Sequence, residues 1–145
     1  MPIITVAELE TKLYAEVIRE ITRGDERIAE IAITAAVQEC KMYLSRYDLV
    51  QLFGTDTEPP TVADEYLKSI VKDVACWHLL RLCNTGVEYA TSRTAYTDAL
   101  DVLKSIKAGA VQPEGWPYKT HDLNTTLPDG NTVNWNSNRK RSNHY

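Results

Sequence analysis

Residues 74–83 read Val74-Ala75-Cys76-Trp77-His78-Leu79-Leu80-Arg81-Leu82-Cys83, and within them only Arg81 carries a full charge. A helix built from this stretch is apolar on nearly every side, and such a helix belongs at the centre of a bundle. Before it, Thr61-Val62-Ala63-Asp64 supplies the oxygen-bearing side chains that cap a helix start. Asn84-Thr85-Gly86 stops it. The fold is expected to grow around this one helix.

Upstream, Asp25 is placed to N-cap a long helix in which Ala29, Ala32, Ile33, Ala36, Val37, Cys40, Leu44 and Tyr47 share a face. The alanines in that face permit close contact between helices. Further upstream, Thr5-Val6-Ala7-Glu8 is a capping box, with Ile4 and Leu9 spaced as a hydrophobic staple. Val6, Leu9, Leu13, Val17 and Ile21 then recur every three or four residues, which predicts one first helix ending at Thr22-Arg23-Gly24. Downstream, Tyr89, Tyr96, Leu100, Leu103 and Ile106 predict a last helix that closes on Gly109. Between the second and third helices, Asp48–Pro60 reads as a loop with one short extended piece around Leu49-Val50-Gln51-Leu52-Phe53. The pattern contains neither an internal repeat nor βαβ alternation. The expected fold is all-α, a bundle of about four helices.

The whole chain has 145 residues, with 16 Lys+Arg against 20 Asp+Glu for a net charge of -4. That length fits one domain, able to bury roughly 70% of the surface its unfolded chain exposes. No apolar run approaches the ~18 residues of a membrane span, and a basic stretch followed by an apolar run is missing at the start. The expectation is a soluble chain assembled in the cytoplasm, its 3 cysteines reduced. A mildly acidic balance argues against broad nucleic-acid binding.

Charge and composition change after Gly109. Residues 1–109 are net acidic, whereas 110–145 are slightly basic, rich in Asn, Thr, Pro and Gly, and poor in aliphatic side chains. This divides the chain into a helical body, 1–109, and an extended C-terminal arm, 110–145. Within the arm, Thr125–Trp135 places Asp129-Gly130 between two β-prone runs, a short β-hairpin signal that Pro128 weakens by removing an amide donor. The segment reads either as an ordered hairpin or as a plain polar tail.

Signatures of chemistry are missing from the sequence. It contains neither a Walker-type loop, a Gly-x-Gly-x-x-Gly turn, a Gly-x-Ser-x-Gly elbow nor a His-Glu-x-x-His pair. Cys76 and His78 would point roughly 200° apart on a helix, so Cys76, His78 and Cys83 suit a core edge better than a zinc site. Glu16 with Glu20 and Glu26 with Glu30 fall at i and i+4, yet acidic residues near helix starts ordinarily complement the helix dipole. Neither a catalytic residue, a metal nor a cofactor is expected. Trp116 and Trp135 stand out instead, because large aromatics in a polar arm are costly to leave in water and serve as interface anchors. Arg139-Lys140-Arg141 is a basic cluster that suits an acidic surface or simply solubilises the end of the chain.

Four segments in order carry a family likeness. They are the opening helix; Ala35-Ala36-Val37-Gln38-Glu39-Cys40-Lys41-Met42-Tyr43-Leu44-Ser45-Arg46-Tyr47-Asp48-Leu49; Asp73-Val74-Ala75-Cys76-Trp77-His78-Leu79-Leu80; and Tyr96 through Gly109. In this arrangement the chain resembles phage head-tail connector proteins, the adaptor or head-completion proteins of tailed phages and Mu-like prophages. The resemblance covers about residues 5–109.

What the resemblance implies is a structural virion protein without a reaction, an all-helical subunit of a ring, dodecameric in the implied assembly. The ring would join the portal protein at the capsid vertex to the next neck or tail component, at the head-tail junction of the virion. DNA would pass through its channel without specific binding. Partner contacts are then expected from Trp116, Leu127, Val133 and Trp135 of the arm, adding strands to an exposed sheet edge, with the basic Arg139, Lys140 and Arg141 beside them. The loop residues Leu49, Leu52 and Phe53 form a second candidate interface, or else are buried in the chain's own core. The alternative from a different class is a small helical DNA-binding regulator or DNA-packaging accessory, which needs a basic recognition helix.

Overall fold

The computed structural model describes residues 2–82 and 89–120. Within them the chain is all-α. It forms six helices: α1 (Val6–Leu9), α2 (Ala15–Thr22), α3 (Glu26–Tyr43), α4 (Leu49–Phe53), α5 (Glu65–Leu80) and α6 (Tyr89–Ala108).

The stretch that decides the fold lies at its centre. α5 buries Leu67, Ile70, Val71, Val74, Ala75, Cys76, Leu79 and Leu80, and it packs against α3, α6 and α1. Asp64 caps it, its side chain accepting the Leu67 amide at 2.9 Å. The helix stops at Leu80, and Leu82 just beyond is exposed. α3 starts at the expected Asp25 cap and buries Ala29, Ala32, Ile33, Ala36 and Cys40 along one side. Those small side chains let α3 lie along α5 in the most extensive helix contact of the bundle.

The first predicted helix is two helices. The capping box forms: Thr5 Oγ1 accepts the Glu8 amide at 3.3 Å, and Glu8 accepts the Thr5 amide at 2.8 Å. Ile4 and Leu9 are fully buried beneath it. The chain nevertheless turns after Leu9, where the Thr11 hydroxyl donates back to the Glu8 carbonyl at 2.8 Å, a side-chain bond that competes with helix propagation. α2 restarts at Ala15 and buries Ile18 and Ile21 against α3. It ends with Arg23 in the left-handed region at φ 54°.

The burst at residues 49–53 is helical, not extended. Asp48 accepts the amides of Val50 at 3.1 Å and Gln51 at 3.2 Å, which caps α4 and holds the Asp48 carboxyl below its ordinary pKa, chiefly through the Gln51 amide. Gly54 ends the turn at φ 75°, where an added β-carbon would run into the Glu58 carbonyl. The division after Gly109 also needs adjustment, because residues 110–119 return to the body rather than leave it. The Asp48 amide donates to the Pro117 carbonyl at 2.9 Å, and the Lys119 amide donates to the Arg46 carbonyl at 3.1 Å. The expected hairpin at 125–135 lies outside the described residues.

Candidate functional site

Three features gather the side chains that local structure alone does not explain. The first is built where the chain comes back after α6. Trp116 is 5% exposed, and its indole N–H donates to Asp64 Oδ2 at 2.5 Å. Asp64 thus uses one carboxylate oxygen for the start of α5 and the other for Trp116. Beside this contact lies a half-open groove of about 400 Å³, walled by Val102 and Ile106 of α6, Tyr66 of α5, and Val111, Pro113 and Trp116. Asp64, Asp101 and Ser105 complete its lining, which includes neither Lys nor Arg.

The second feature joins the end of α3 to the same returning segment. Tyr47 is buried, stacked on Tyr118 with ring centroids 5.0 Å apart and met edge-on by Trp116 at 5.5 Å. A single antiparallel bridge pairs Tyr47 with Tyr118. Burial, reinforced by the neighbouring Tyr118 hydroxyl, raises the Tyr47 phenol above its usual pKa.

The third feature clamps three helices together. Glu39 of α3 accepts from His78 Nε2 of α5 at 2.7 Å, and the Tyr96 hydroxyl of α6 donates to its other oxygen, also at 2.7 Å. Trp77 stacks on Tyr96 at 5.5 Å. Desolvation and the bond to Glu39 push the Tyr96 phenol up to about 12. None of the three polar groups lines the groove beside Trp116. The clamp satisfies half-buried polar atoms and fixes helix register. Its chemistry is that of a hydrogen-bonded tie.

The residues expected to meet a partner fall into three groups. Trp116 is buried in its own body, so as an exposed anchor it is corrected: its indole has found Asp64 and Tyr47. Leu52 and Phe53 are likewise buried in the chain's own core, because the α4 turn points them inward, while Leu49 is half-buried. Of that burst, Val50 faces outward, at 59% exposure. Leu127, Val133, Trp135, Arg139, Lys140 and Arg141 lie outside the described residues.

Cys76 is buried and its thiol is pushed up to about 12, mainly by desolvation, so it packs as a small apolar group. Cys83 lies outside the described residues. The acidic pairs Glu16 with Glu20 and Glu26 with Glu30 are exposed. Among the described residues, groups of three or more potential metal ligands are not found. Asp64 and Glu39 carry the structure's main polar contacts but have no sequence signature of that role, since their partners lie 52 residues away for Asp64 and 39 and 57 for Glu39. A carboxylate beside the apolar face of α3 is the one local hint for Glu39, because a shielded carboxylate requires donors.

Comparisons with protein-family models, with curated proteins and with solved structures found no match.

Proposed function

We propose that this chain is a structural subunit of a phage head-tail connector, assembling as a ring between the portal protein and the next neck or tail component. The observation that carries the reading is the packing of the segments on which the resemblance rests. Ala35–Leu49, Asp73–Leu80 and Tyr96–Gly109 come together as α3, α5 and α6 around one core, in the expected order. The Tyr43-Leu44-Ser45-Arg46-Tyr47 signature ends α3 in a buried node, with Leu44 and Tyr47 inside and the Arg46 carbonyl holding the returning chain.

Two further properties support it. Ring subunits meet head to tail through two different patches. Large apolar side chains are exposed on more than one element: Tyr14 before α2, Ile31 and Met42 on α3, and Val50 on α4. The acidic body, in turn, suits a channel wall that lets DNA slide, since a net negative charge gives phosphate little to hold. No described helix is long and apolar enough to cross a membrane. The place of action is the head-tail junction of a virion, assembled in the host cytoplasm. A DNA-binding regulator gains less support, because the described helices are acidic or near neutral. Even α6 sets three cations against two carboxylates.

Contacts with the portal begin, on this reading, after Thr120, since residues 110–119 belong to the body. Light scattering of the full chain, alone and with the portal protein encoded in the same genome, tests the proposal. Many copies bound per portal ring, in a complex tolerant of salt, is the expected result. A chain that stays monomeric with the portal and shifts DNA in a salt-dependent manner overturns it.

A further inference from the structure

A groove on the outer side of α3 gathers apolar side chains that the fold leaves in water. Ile31, Thr34, Gln38 and Met42 follow one another at three- or four-residue spacing along α3, so they form a single outward row. Ile31 is 67% and Met42 68% exposed, and Thr34 and Gln38 between them line a groove of about 550 Å³. α4 contributes Phe53 and the 59% exposed Val50 to the same groove.

Charge decides what can cover this face. Residues 31–38 are the longest run without a charged side chain in any described helix. The groove itself carries one cation, Lys41, and one anion, Asp56. Among the described residues neither is in an ion pair. Lys41 Nζ instead lies 5.5 Å from the Phe53 ring centroid, and Asp56 is exposed. A surface with one unpaired charge of each sign is complementary to itself. In a two-fold contact each copy offers the same patch, so Lys41 meets the partner's Asp56 and Asp56 meets the partner's Lys41. The remainder of the face is neutral, which is what two copies of a chain with net charge -4 need in order to meet. The groove beside Trp116 lacks this property, since its charged lining residues, Asp64 and Asp101, are both anions.

We infer that the face of α3 and α4 around Lys41 and Asp56 is a two-fold docking surface for a second copy of this chain. Pairing covers Ile31, Met42 and Val50 of both copies and completes two ion pairs. The face offers about a dozen lining residues, against roughly 20–30 a side in a standard interface, so the pair is weak, with a Kd on the order of micromolar or above. The inference goes beyond the connector reading and does not depend on it. A two-fold contact closes at two copies. Where the chain is a ring subunit, the pair is its state before assembly and parts when these side chains meet ring neighbours.

Sedimentation velocity of the full chain, from about 5 to about 500 μM, tests this across the range in which a weak pair forms. The parent is expected to pass from monomer mass to dimer mass and no further. Lys41→Glu and Asp56→Lys, each alone, set like charges across the contact and should weaken the dimer about tenfold or more. Mixed in equal amounts, the two variants should recover it, because one copy then carries two anions at these positions and the other two cations. Asp56 is exposed in the turn after α4, so Asp56→Lys decides the matter alone if Lys41→Glu fails to fold. A parent that stays monomeric at the highest concentration, or that grows past the dimer, overturns the inference. Single variants that pair as tightly as the parent, or two folded variants that pair no better when mixed, overturn it equally.

Discussion

Trp116 donates its indole N–H to Asp64, 52 residues earlier in the chain, and that one bond ties the segment after the last helix to the first turn of the central one. Because Asp64 is also the N-cap of α5, the cap and the closure of the fold share a carboxylate. Losing either partner therefore disturbs both.

Trp116→Phe keeps most of the buried ring and removes the donor. It is expected to cost about 1.5–3 kcal/mol, the range for a hydrogen bond to a charged group. Asp64→Ala removes the cap as well, adding about 1 kcal/mol. Urea unfolding of the two single variants and the double variant checks the coupling. The double variant should lose clearly less than the sum of the singles. Strict additivity means that the bond contributes nothing in solution.

Much of the helical frame follows from local chemistry, and the exceptions share a cause. The Thr5–Glu8 capping box, Asp25 and Gly109 act within a turn of their own position, so they mark helix ends in the sequence as they do in the structure. The break between Leu9 and Ala15 is invisible to periodicity, since Leu13 within it and Val17 beyond it continue the stripe that Leu9 begins. α4 is only five residues long, too short to show a period, and depends on the Asp48 cap and the burial of Phe53. For Trp116, composition signals that an aromatic in a polar segment needs cover. It cannot say whether the cover is another molecule or Asp64 of the same chain. The Glu39–His78–Tyr96 clamp is hidden for the same reason, because its parts meet only after three helices have packed.

That clamp makes stability depend on pH at the alkaline end. The Tyr96 phenol stands near 12 in the folded chain, against about 10 when unfolded. Above pH 10 the unfolded state loses this proton first, so the contribution is complete below pH 10 and is lost as pH rises towards 12. Cys40 and Cys76, both raised by burial to about 12, lose stability in the same direction from pH 9 upward. Tyr96→Phe isolates the tyrosine's share. The variant should be less stable than the parent at pH 8, through loss of the bond to Glu39, and the gap should narrow by pH 11. Chemical denaturation at the two pH values measures it, and a constant gap removes Tyr96 from the alkaline transition.

Gly54 is demanded by both conformation and space. Its φ of 75° and ψ of -173° fall where essentially only glycine is found, and a β-carbon there would sit 2.6 Å from the Glu58 carbonyl oxygen and 2.8 Å from the Pro60 nitrogen. Both neighbours are backbone, so neither can swing aside as a side chain does. Gly54→Ala should cost roughly 3 kcal/mol or more, combining backbone strain with displacement of the 58–60 turn. Gly24→Ala, at φ 79° but in open space, meets only the conformational cost of about 1–2 kcal/mol. Thermal melting of the two variants side by side separates the steric share, and equal shifts mean that the 58–60 turn yields freely.

Cys40 and Cys76 occupy the α3 and α5 sides of the same core, 0% and 6% exposed. Desolvation is the largest influence on both thiols and pushes each to about 12, so the reactive thiolate is scarce at neutral pH and shielded where it forms. Alkylation of the native chain at pH 7.5, followed by peptide mass analysis, should leave both residues unmodified on a timescale that labels a free thiol completely. In denaturant both should react at once. If either labels quickly in the native state, the core around that cysteine opens far more readily than its burial implies, because a maleimide can reach a buried sulfur only when the packing over it parts.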